Sequence, residues 1–363
     1  MEPFSRLSTS EQLAAYLRRQ IEKGTLSGEM PGVQQLAKTL GVNSVAVGKA
    51  VRQLEHEGLV LFQGARKSRR VARLQLPDKP AAPRLRVQIL LYAPDDSKSY
   101  YNVDVQHRLM EAGHSARFAS KSLVELGMNT ERIARFVVRS PADAWLVFSG
   151  SREVLLWFSQ QNIPTFALAG RRRGIEIAST GPDKVPALRT AVRRLVELGH
   201  KRIVMLAREV RRKPDPGEFE QVFLDELAAG GIQHGPYNLP DWRESAEGLQ
   251  GLLASLFRHT PPTALIIEEA HTFLAAQQYL THHGILAPRD VSLICDDPDP
   301  AFAWFRPMVT HIGWDGSQWA RRIVRWADNI ASGKDDRSRS FTKAAFVEGG
   351  TIGPVAGHVR RIV

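Results

Sequence analysis

Two groups of side chains near the start of the sequence have types and spacings suited to binding a polyanion. The first group is spaced to share the exposed side of a short helix, from which polar and basic side chains can contact base edges in a major groove. The second is a basic run, which suits phosphates or a narrow minor groove. The residues that we predict to contact nucleic acid are Gln34, Asn43, Ser44, Val45, Lys49, Arg52, Arg66, Lys67, Arg69 and Arg70.

A third group of side chains follows the predicted strands of an α/β region further along the chain. Ligands of doubly wound sheets bind outside the carboxyl ends of the strands, so residues at these places are expected to face a ligand. Carboxylates and arginines can pair with vicinal hydroxyls, and an aromatic face can pack on a sugar ring. The predicted ligand-binding residues are Asp95, Asp96, Tyr100, Ser149, Ser151, Arg211, Arg212, Glu269, Asp296, Asp297 and Trp304.

Each of these residues taken alone could be a helix cap or a surface group, and two nearby features are interpreted in that way. Asp183 is predicted to cap the helix that begins near Val185. The three consecutive arginines at 171–173 are predicted to form a solvated loop. The ligand site is therefore a prediction about the group of residues and not about any one member.

Patterns for catalysis are weak. Ser149 and Ser151 flank a glycine but lack the Gly-x-Ser-x-Gly frame of a nucleophile elbow. The glycine-rich run 349–353 contains no lysine and opens no clear helix, so it is not predicted to bind phosphate. The histidines have no partners at metal-ligand spacing. We therefore expect no enzymatic activity, no cofactor and no metal.

The elements that must position the first two groups are two short helices and a hairpin. Val47, Val51 and Leu54 have helical spacing and predict a helix that begins at Ser44. With the short helix before it and the turn at 41–43, this forms a helix-turn-helix. The β-rich run 59–62, a turn and the basic run then predict a wing. The alternative is a small helical core with a solvated charged turn.

Residues 11–72 resemble the winged helix of GntR-type bacterial repressors. The resemblance is carried by Glu29-Met30-Pro31, by Leu36-Ala37, by Leu40-Gly41-Val42 and by Leu54-Glu55-x-Glu57-Gly58-Leu59-Val60. It implies binding to double-stranded DNA. The chain departs from the family pattern at Gly32, Gln34, Ser44 and Gly48, and only Gly64 of the usual wing motif is kept. We therefore expect phosphate contacts to have moved from the recognition helix to the wing.

The chain beyond residue 73 changes character. Residues 74–84 contain three prolines and little to bury, which is typical of a semi-rigid linker. After them, strand-like runs alternate with helix-length segments, which favours α/β architecture with doubly wound parallel sheets in two lobes. The predicted strands are 87–92, 116–119, 145–148, 165–168, 203–206, 265–267 and 291–295. We predict a winged helix-turn-helix domain over 1–73, a linker over 74–84, and a ligand-sensing and dimerisation domain over 85–363.

The region 85–350 resembles the sensor domains of lac-repressor-like regulators. The resemblance is carried by the segments 193–203 and 262–266 and, most specifically, by Gly284 to Asp297. It implies the two-lobed periplasmic-binding-protein fold, a sugar as effector, and crossings between the lobes near Ser179, Asp299 and Gly313. The chain departs from the family where an Asn-Asp pair is usual, since it carries Glu269 followed by alanine.

Charge and cysteine content agree with these patterns. The formal charge is +11, and residues 1–84 hold 14 Lys and Arg against 7 Asp and Glu. The excess of positive charge thus lies where nucleic-acid binding is predicted. The single cysteine, Cys295, lies in an apolar run and is predicted to be a buried thiol. Without a signal segment or a long apolar stretch, the chain is expected to be cytoplasmic and not to enter a membrane.

The sequence therefore predicts a ligand-responsive transcription regulator, a repressor that acts as a homodimer and senses a sugar or a similar small polar metabolite. The alternatives are a solute-binding protein that does not bind DNA and an enzyme on the same α/β scaffold, because a fold does not fix a function.

Overall fold

The computed structural model describes residues 9–22, 26, 28–61, 69–71, 84–355 and 362. The chain divides into two compact units, Met1–Ala81 and Ala82–Val363. The predicted linker over 74–83 lies outside the described residues, as do Arg66 and Lys67 of the predicted wing. Residue 84, also placed in that linker, is described.

The first unit contains the predicted helix-turn-helix. Its elements are α1 Thr9–Glu22, α2 Val33–Leu40, α3 Ser44–His56, β1 Val60–Leu61 and β2 Arg70–Val71. Gly41 ends α2 in the left-handed conformation, and the Asn43 side chain accepts a hydrogen bond from the Val45 amide at 2.8 Å to cap α3. β1 and β2 pair antiparallel as a short hairpin ladder. The predicted helix-turn-helix followed by a paired wing is confirmed.

The core of this unit explains why α3 has one exposed side. Val47, Val51 and Leu54 are almost fully buried against α1 and α2, as their spacing predicts. An ion pair between Arg18 and Glu57, 2.6 Å long, ties α1 to the end of α3. The residues between the buried positions therefore face solvent.

The second unit begins with a five-stranded parallel sheet, which we call the first lobe. Its elements are β3 Arg86–Leu90, a 3₁₀ helix Pro94–Lys98, α4 Tyr100–Glu111, β4 Ser115–Phe118, α5 Thr130–Arg139, β5 Ala144–Phe148, α6 Arg152–Ser159, β6 Thr165–Leu168 and β7 Ala178–Thr180. The strand order among the described residues is β4-β3-β5-β6-β7. Every residue of β5 and β6 is buried, as expected for a parallel sheet that is covered on both faces.

The second lobe follows with a six-stranded sheet. Its elements are β8 Pro182–Asp183, α7 Val185–Glu197, β9 Ile203–Leu206, α8 Glu209–Arg212, α9 Glu218–Ala229, α10 Ala246–His259, β10 Ala264–Ile267, α11 Ala270–His282, β11 Ser292–Cys295, a 3₁₀ helix Pro300–Trp304 and β12 Thr310–Trp314. α12 Ser317–Ala331 then packs in the core of the first lobe, and β13 Thr342–Val347 completes the sheet of the second. Cys295 is buried as predicted, and burial raises the pKa of its thiol.

The chain crosses between the lobes three times. The first crossing lies between β7 and β8, next to Ser179, and the second follows β12, close to Gly313, as predicted. The prediction of a crossing near Asp299 is wrong, because β11 and β12 on either side of it are paired parallel strands of one sheet. The third crossing lies between α12 and β13, where Arg339 bridges to Ser179 of the first crossing.

Candidate functional site

The exposed side of α3 carries the polar and basic residues predicted to contact DNA. Lys49 and Arg52 are exposed, and the Val45 side chain is 61% exposed at the start of the helix. Ser44 is half-buried at the first helical position, and Gln34 is exposed on α2. The exposed side of α3 is thus polar and cationic from Ser44 in its first turn to Arg52 in its third. The N-terminal residues of a recognition helix are the ones that contact base edges. Asn43 differs from the others because its side chain is occupied by capping.

The described part of the wing contains two basic residues in different situations. The Arg69 guanidinium pairs with Glu55 of α3 at 2.5 Å, whereas the Arg70 side chain is exposed. Since the carboxylate of Glu55 balances Arg69, Arg70 is the better placed of the two for a phosphate.

A large open cavity of about 1620 Å³ lies between the two lobes of the second unit. Its wall is formed by residues that follow strands of both sheets, as expected for an α/β ligand site. The predicted ligand-binding residues that line it are Asp95, Asp96, Tyr100, Ser149, Arg211, Glu269 and Asp297.

Four predicted residues do not line the cavity. Ser151 caps α6 by accepting a hydrogen bond from the Val154 amide at 3.3 Å. Arg212 points away and donates to the Ala207 and Trp242 carbonyl oxygens at 3.1 and 2.5 Å. Asp296 is buried behind the wall, and Trp304 is 88% exposed on the outer surface. A position just after a strand brings the backbone of a residue close to the cavity, but it does not determine the direction in which the side chain points.

The backbone is strained where the strands meet the cavity. Ser149 and Ala169 immediately follow β5 and β6, and Glu269 is the second residue after β10; each has a positive φ between 50° and 65°. Gly170, also at positive φ, lies so close to Gly150 that a Cβ would come within 2.6 Å of the Gly150 carbonyl oxygen. Such conformations are costly for residues other than glycine and concentrate at binding sites.

Arg208, which lines the cavity, joins the two lobes. Its guanidinium lies 2.8 Å from Asp96 of the first lobe, pairs with Glu269 of the second, and stacks 4.4 Å from the centre of the Tyr92 ring. The Tyr92 hydroxyl in turn donates to Glu244 at 2.9 Å. The sequence placed Arg208 after a strand, but its role as a bridge depends on both lobes.

The arginine-rich segment at 171–173 is not the solvated loop that we predicted. Arg171 donates from the first lobe to the Val210 and Arg211 carbonyl oxygens of the second at 2.6 and 2.8 Å. All three arginines line the cavity. The prediction that Asp183 caps α7 is also wrong. The N-cap residue of α7 is Lys184, whose side chain makes no capping hydrogen bond, and Asp183 lines the cavity.

The wall of the second lobe is rich in buried acids that surround two cations. Lys184 lies 2.9 Å from Asp297 and 3.4 Å from Asp296. Burial opposes the charge of Lys184, but these two acids outweigh it and raise its pKa. Burial raises the pKa of Asp296 to about 7, although Lys184 and Arg211 oppose that shift.

Arg211 is the second of these cations. It lies 2.7 Å from Glu220, 2.9 Å from Glu268 and 3.5 Å from Asp296. Burial raises the pKa of Glu220 despite Arg211. Sequence reasoning missed Lys184, Glu220 and Glu268; only Glu268 had a signal, since it directly follows β10.

An aromatic wall lies beside the Asp297 carboxylate. Trp314 stacks on Trp319 with ring centroids 3.8 Å apart, and Tyr101 packs on Trp314 at 4.6 Å. The Trp314 indole N–H donates to Asp297 Oδ1 at 3.1 Å. Carboxylates that accept hydrogen bonds next to indole faces can hold a polyhydroxylated ring. Trp314 and Trp319 were not predicted.

Two family models match separate parts of the chain. Residues 9–67 match the bacterial regulatory proteins of the gntR family, and residues 192–352 match the periplasmic binding protein-like domain. A search of curated proteins finds no significant match. None of the helices in the described part of the chain is long and apolar enough to cross a membrane.

Several solved structures share the fold. The transcriptional regulator CelR–cellobiose complex superposes with a TM-score of 0.59 at 17% identity, over 88% of this chain and 99% of that one. A LacI family regulator from Enterococcus faecium with bound ribose gives 0.59 at 16%, over 74% and 99%. The lac repressor dimer bound to operator and the anti-inducer ONPF gives 0.58 at 16%, over 74% and 93%. At this identity the likeness concerns the fold.

Proposed function

Because this chain joins a gntR-family DNA-binding domain to a periplasmic-binding-protein-like sensor domain, we propose that it regulates transcription in response to a small ligand. The ligand binds in the cavity between the lobes, and the winged helix-turn-helix binds an operator. The observation that carries the proposal is the joint presence, in one chain, of an exposed cationic recognition helix and a polar cleft lined from two lobes.

A sugar or a similar polar metabolite fits the cleft. Asp297 and Glu269 present acceptors, Arg211 and Arg208 present donors, and Trp314 offers an aromatic face. The cellobiose and ribose held by the regulators of similar fold support this choice.

We further propose a homodimer that acts as a cytoplasmic repressor without enzymatic activity. A winged helix-turn-helix dimer reads two half-sites about one helical turn apart. The dimeric lac repressor structure supports this arrangement.

A mobility-shift assay tests the DNA-binding part. Duplexes tiled across the DNA upstream of the chain's own gene would be titrated with wild type and with the double variant Lys49→Ala, Arg52→Ala. We expect a specific complex with wild type and a loss of roughly tenfold or more in the double variant, since each residue supplies a base or phosphate contact. Lys343→Ala, an exposed lysine of β13, is the control. Equal binding by all three proteins would contradict the proposal.

A further inference from the structure

Two guanidinium groups in the cavity differ from the other arginines around them. Arg152 and Arg171 donate to backbone carbonyl oxygens. Arg173 pairs with Glu218 at 3.1 Å, Arg208 pairs with half-buried acids, and Arg211 pairs with buried ones. Arg172 and Arg339 also line the cavity. Among the described residues, no carboxylate forms an ion pair with either of these two. They are therefore cations without a balancing acid at a ligand-accessible wall.

The surroundings of Arg172 make this imbalance costly. Its side chain is half-buried, and its guanidinium carbon lies 5.4 Å from the centre of the Phe341 ring. Burial, and then the charge of Arg339, lower the pKa of Arg172 to about 10. A partly desolvated cation beside a like charge is stabilised when an anion binds to both. Glu218, the acid that most affects Arg172, is already paired with Arg173.

The two arginines come from different segments that meet at the crossings. Arg172 lies in the loop after β6 of the first lobe, and Arg339 lies in the third crossing, where its backbone bridges to Ser179. Phe341, which is 66% exposed, lies two residues beyond Arg339 and also lines the cavity. An anion held by both guanidiniums would therefore contact the first lobe and a segment that connects the lobes.

We propose that Arg172 and Arg339 form an anion subsite, so that the effector is a sugar derivative that carries a carboxylate or a phosphate group. This inference rests on the proposed function, because it names the ligand class of the same cleft. The anionic group binds between the two guanidiniums, which suit the fork geometry of carboxylate and phosphate oxygens. The hydroxylated body extends towards Asp297, Glu269 and the Trp314 face. The acids of that wall would repel a second negative charge, so they orient the ligand.

Neutral sugars and their anionic derivatives test whether the charge of the ligand determines its affinity. Binding of glucose, glucuronate, glucose 6-phosphate, galactose, galacturonate, galactose 6-phosphate and inorganic phosphate to the full chain would be measured by thermal shift and calorimetry. We expect at least one anionic member to bind about tenfold or more tightly than its neutral parent, as charge-assisted hydrogen bonds allow. Arg172→Gln and Arg339→Gln should each remove most of that preference and leave the affinity for the neutral parent nearly unchanged.

Arg325→Gln is the matched control, because Arg325 is an exposed arginine of α12 that does not line the cavity. Arg339 is exposed, so its substitution keeps the test valid if Arg172→Gln does not fold. The inference is overturned if neutral parents bind as tightly as the anions, if the charge preference survives both substitutions, or if no anion in the panel binds in an Arg172- or Arg339-dependent way. Operator binding measured on the same proteins without ligand distinguishes this failure from failure of the proposed function.

Discussion

Asp296 lies at the end of β11, where burial and ion pairing act on one carboxyl group in opposite directions. It contacts Lys184 and Arg211 at 3.4 and 3.5 Å, yet burial raises its pKa to about 7. Glu220 and Glu269 are shifted in the same direction, chiefly by burial. Because burial raises the pKa of these acids, the folded protein retains protons that an unfolded chain would release.

This retention of protons predicts a pH dependence of stability. An unfolded aspartate titrates near about 4. Between that value and about 7 the folded state therefore binds more protons at Asp296 than the unfolded state does, and the free energy of unfolding falls as the pH rises through this window. We expect Asp296→Asn to make the decline shallower. The measurement is urea unfolding from pH 4.5 to 8, followed by the fluorescence of the seven tryptophans, all of which lie beyond residue 144.

The control for this experiment is Glu131→Gln, because Glu131 is an exposed carboxylate of α5. Its profile should run parallel to that of wild type. If Asp296→Asn also runs parallel to wild type, the Asp296 carboxyl does not titrate in this window and the assigned direction of its pKa shift is wrong.

Arg208 shows the converse case, a buried cation that balances acids from both lobes. In Arg208→Ala, Asp96 and Glu269 remain partly buried without their shared partner. Removal of one member of a buried ion pair costs about 3–5 kcal/mol. We expect a loss near the lower end of this range in the same fluorescence assay, because Asp96 and Glu269 can also lose their charge by taking up protons.

A compensating variant tests whether unpaired carboxylates cause the loss of stability in Arg208→Ala. Adding Asp96→Asn and Glu269→Gln to Arg208→Ala removes the unpaired charges and should recover part of the lost stability. Arg325→Ala, on the exposed side of α12, should change stability by less than about 0.5 kcal/mol. An Arg208→Ala variant as stable as Arg325→Ala would show that the bridge does not hold the lobes together.

At the scale of elements, the wing and α3 act together. Glu55 of α3 neutralises Arg69, which fixes the described part of the wing against the helix, and Arg70 on β2 stays exposed. Arg69 therefore stabilises the packing of the wing and Arg70 is available to a phosphate, although the two arginines are adjacent in the sequence.

This difference can be measured through the salt dependence of operator binding. Each phosphate contact contributes about 0.9 to the slope of log affinity against log salt. We expect Arg70→Gln to reduce the slope by about that amount for each wing that contacts DNA. Arg69→Gln should weaken the packing of the wing and leave the slope closer to that of wild type. Equal reductions in both variants would mean that Arg69 leaves Glu55 for a phosphate when DNA binds.

The elements that could be predicted from the sequence are those whose pattern is local. β6 and β9 are found with their predicted bounds because each is a short, largely apolar run, and α3 begins at the predicted Ser44. α12 was missed, although its buried Trp319, Ile323 and Trp326 have the same helical spacing that predicted α3. What the sequence could not give is its packing, because its partners lie in a lobe more than a hundred residues earlier. β13 was also missed, since it is an alternating strand that pairs antiparallel with β12.

The site was predictable to the extent that it depends on strand ends. Asp96, Glu269 and Asp297 follow strands and line the cavity as the rule for parallel sheets suggests. Arg172 and Arg339 could not be paired from the sequence, because they are brought near each other only by the crossings of the chain. The lowered pKa of Arg172 depends on burial, which spacing alone does not give.

At the scale of the whole molecule, the residues predicted to bind DNA and the ligand cleft lie in different units. Most of the formal charge of +11 lies in residues 1–84, and the cleft lies in the unit Ala82–Val363. A ligand that binds in one unit can change DNA binding by the other only if the two equilibria are coupled. Thermodynamic linkage then fixes a relation that is independent of the route of coupling: the ligand must change DNA affinity by the same factor by which DNA changes ligand affinity.

We expect this factor to lie between about 5 and 150, which corresponds to a coupling of about 1–3 kcal/mol. Calorimetry of the ligand that gives the largest thermal shift, with and without a saturating operator duplex, gives one value; mobility shifts with and without that ligand give the other. Asp297→Asn, which removes an anionic acceptor from the cleft wall, should lower the affinity for the ligand and leave operator binding without ligand unchanged. Two factors that both equal one would mean that the units bind independently, and the chain would then be a DNA-binding protein that carries a receptor without being controlled by it.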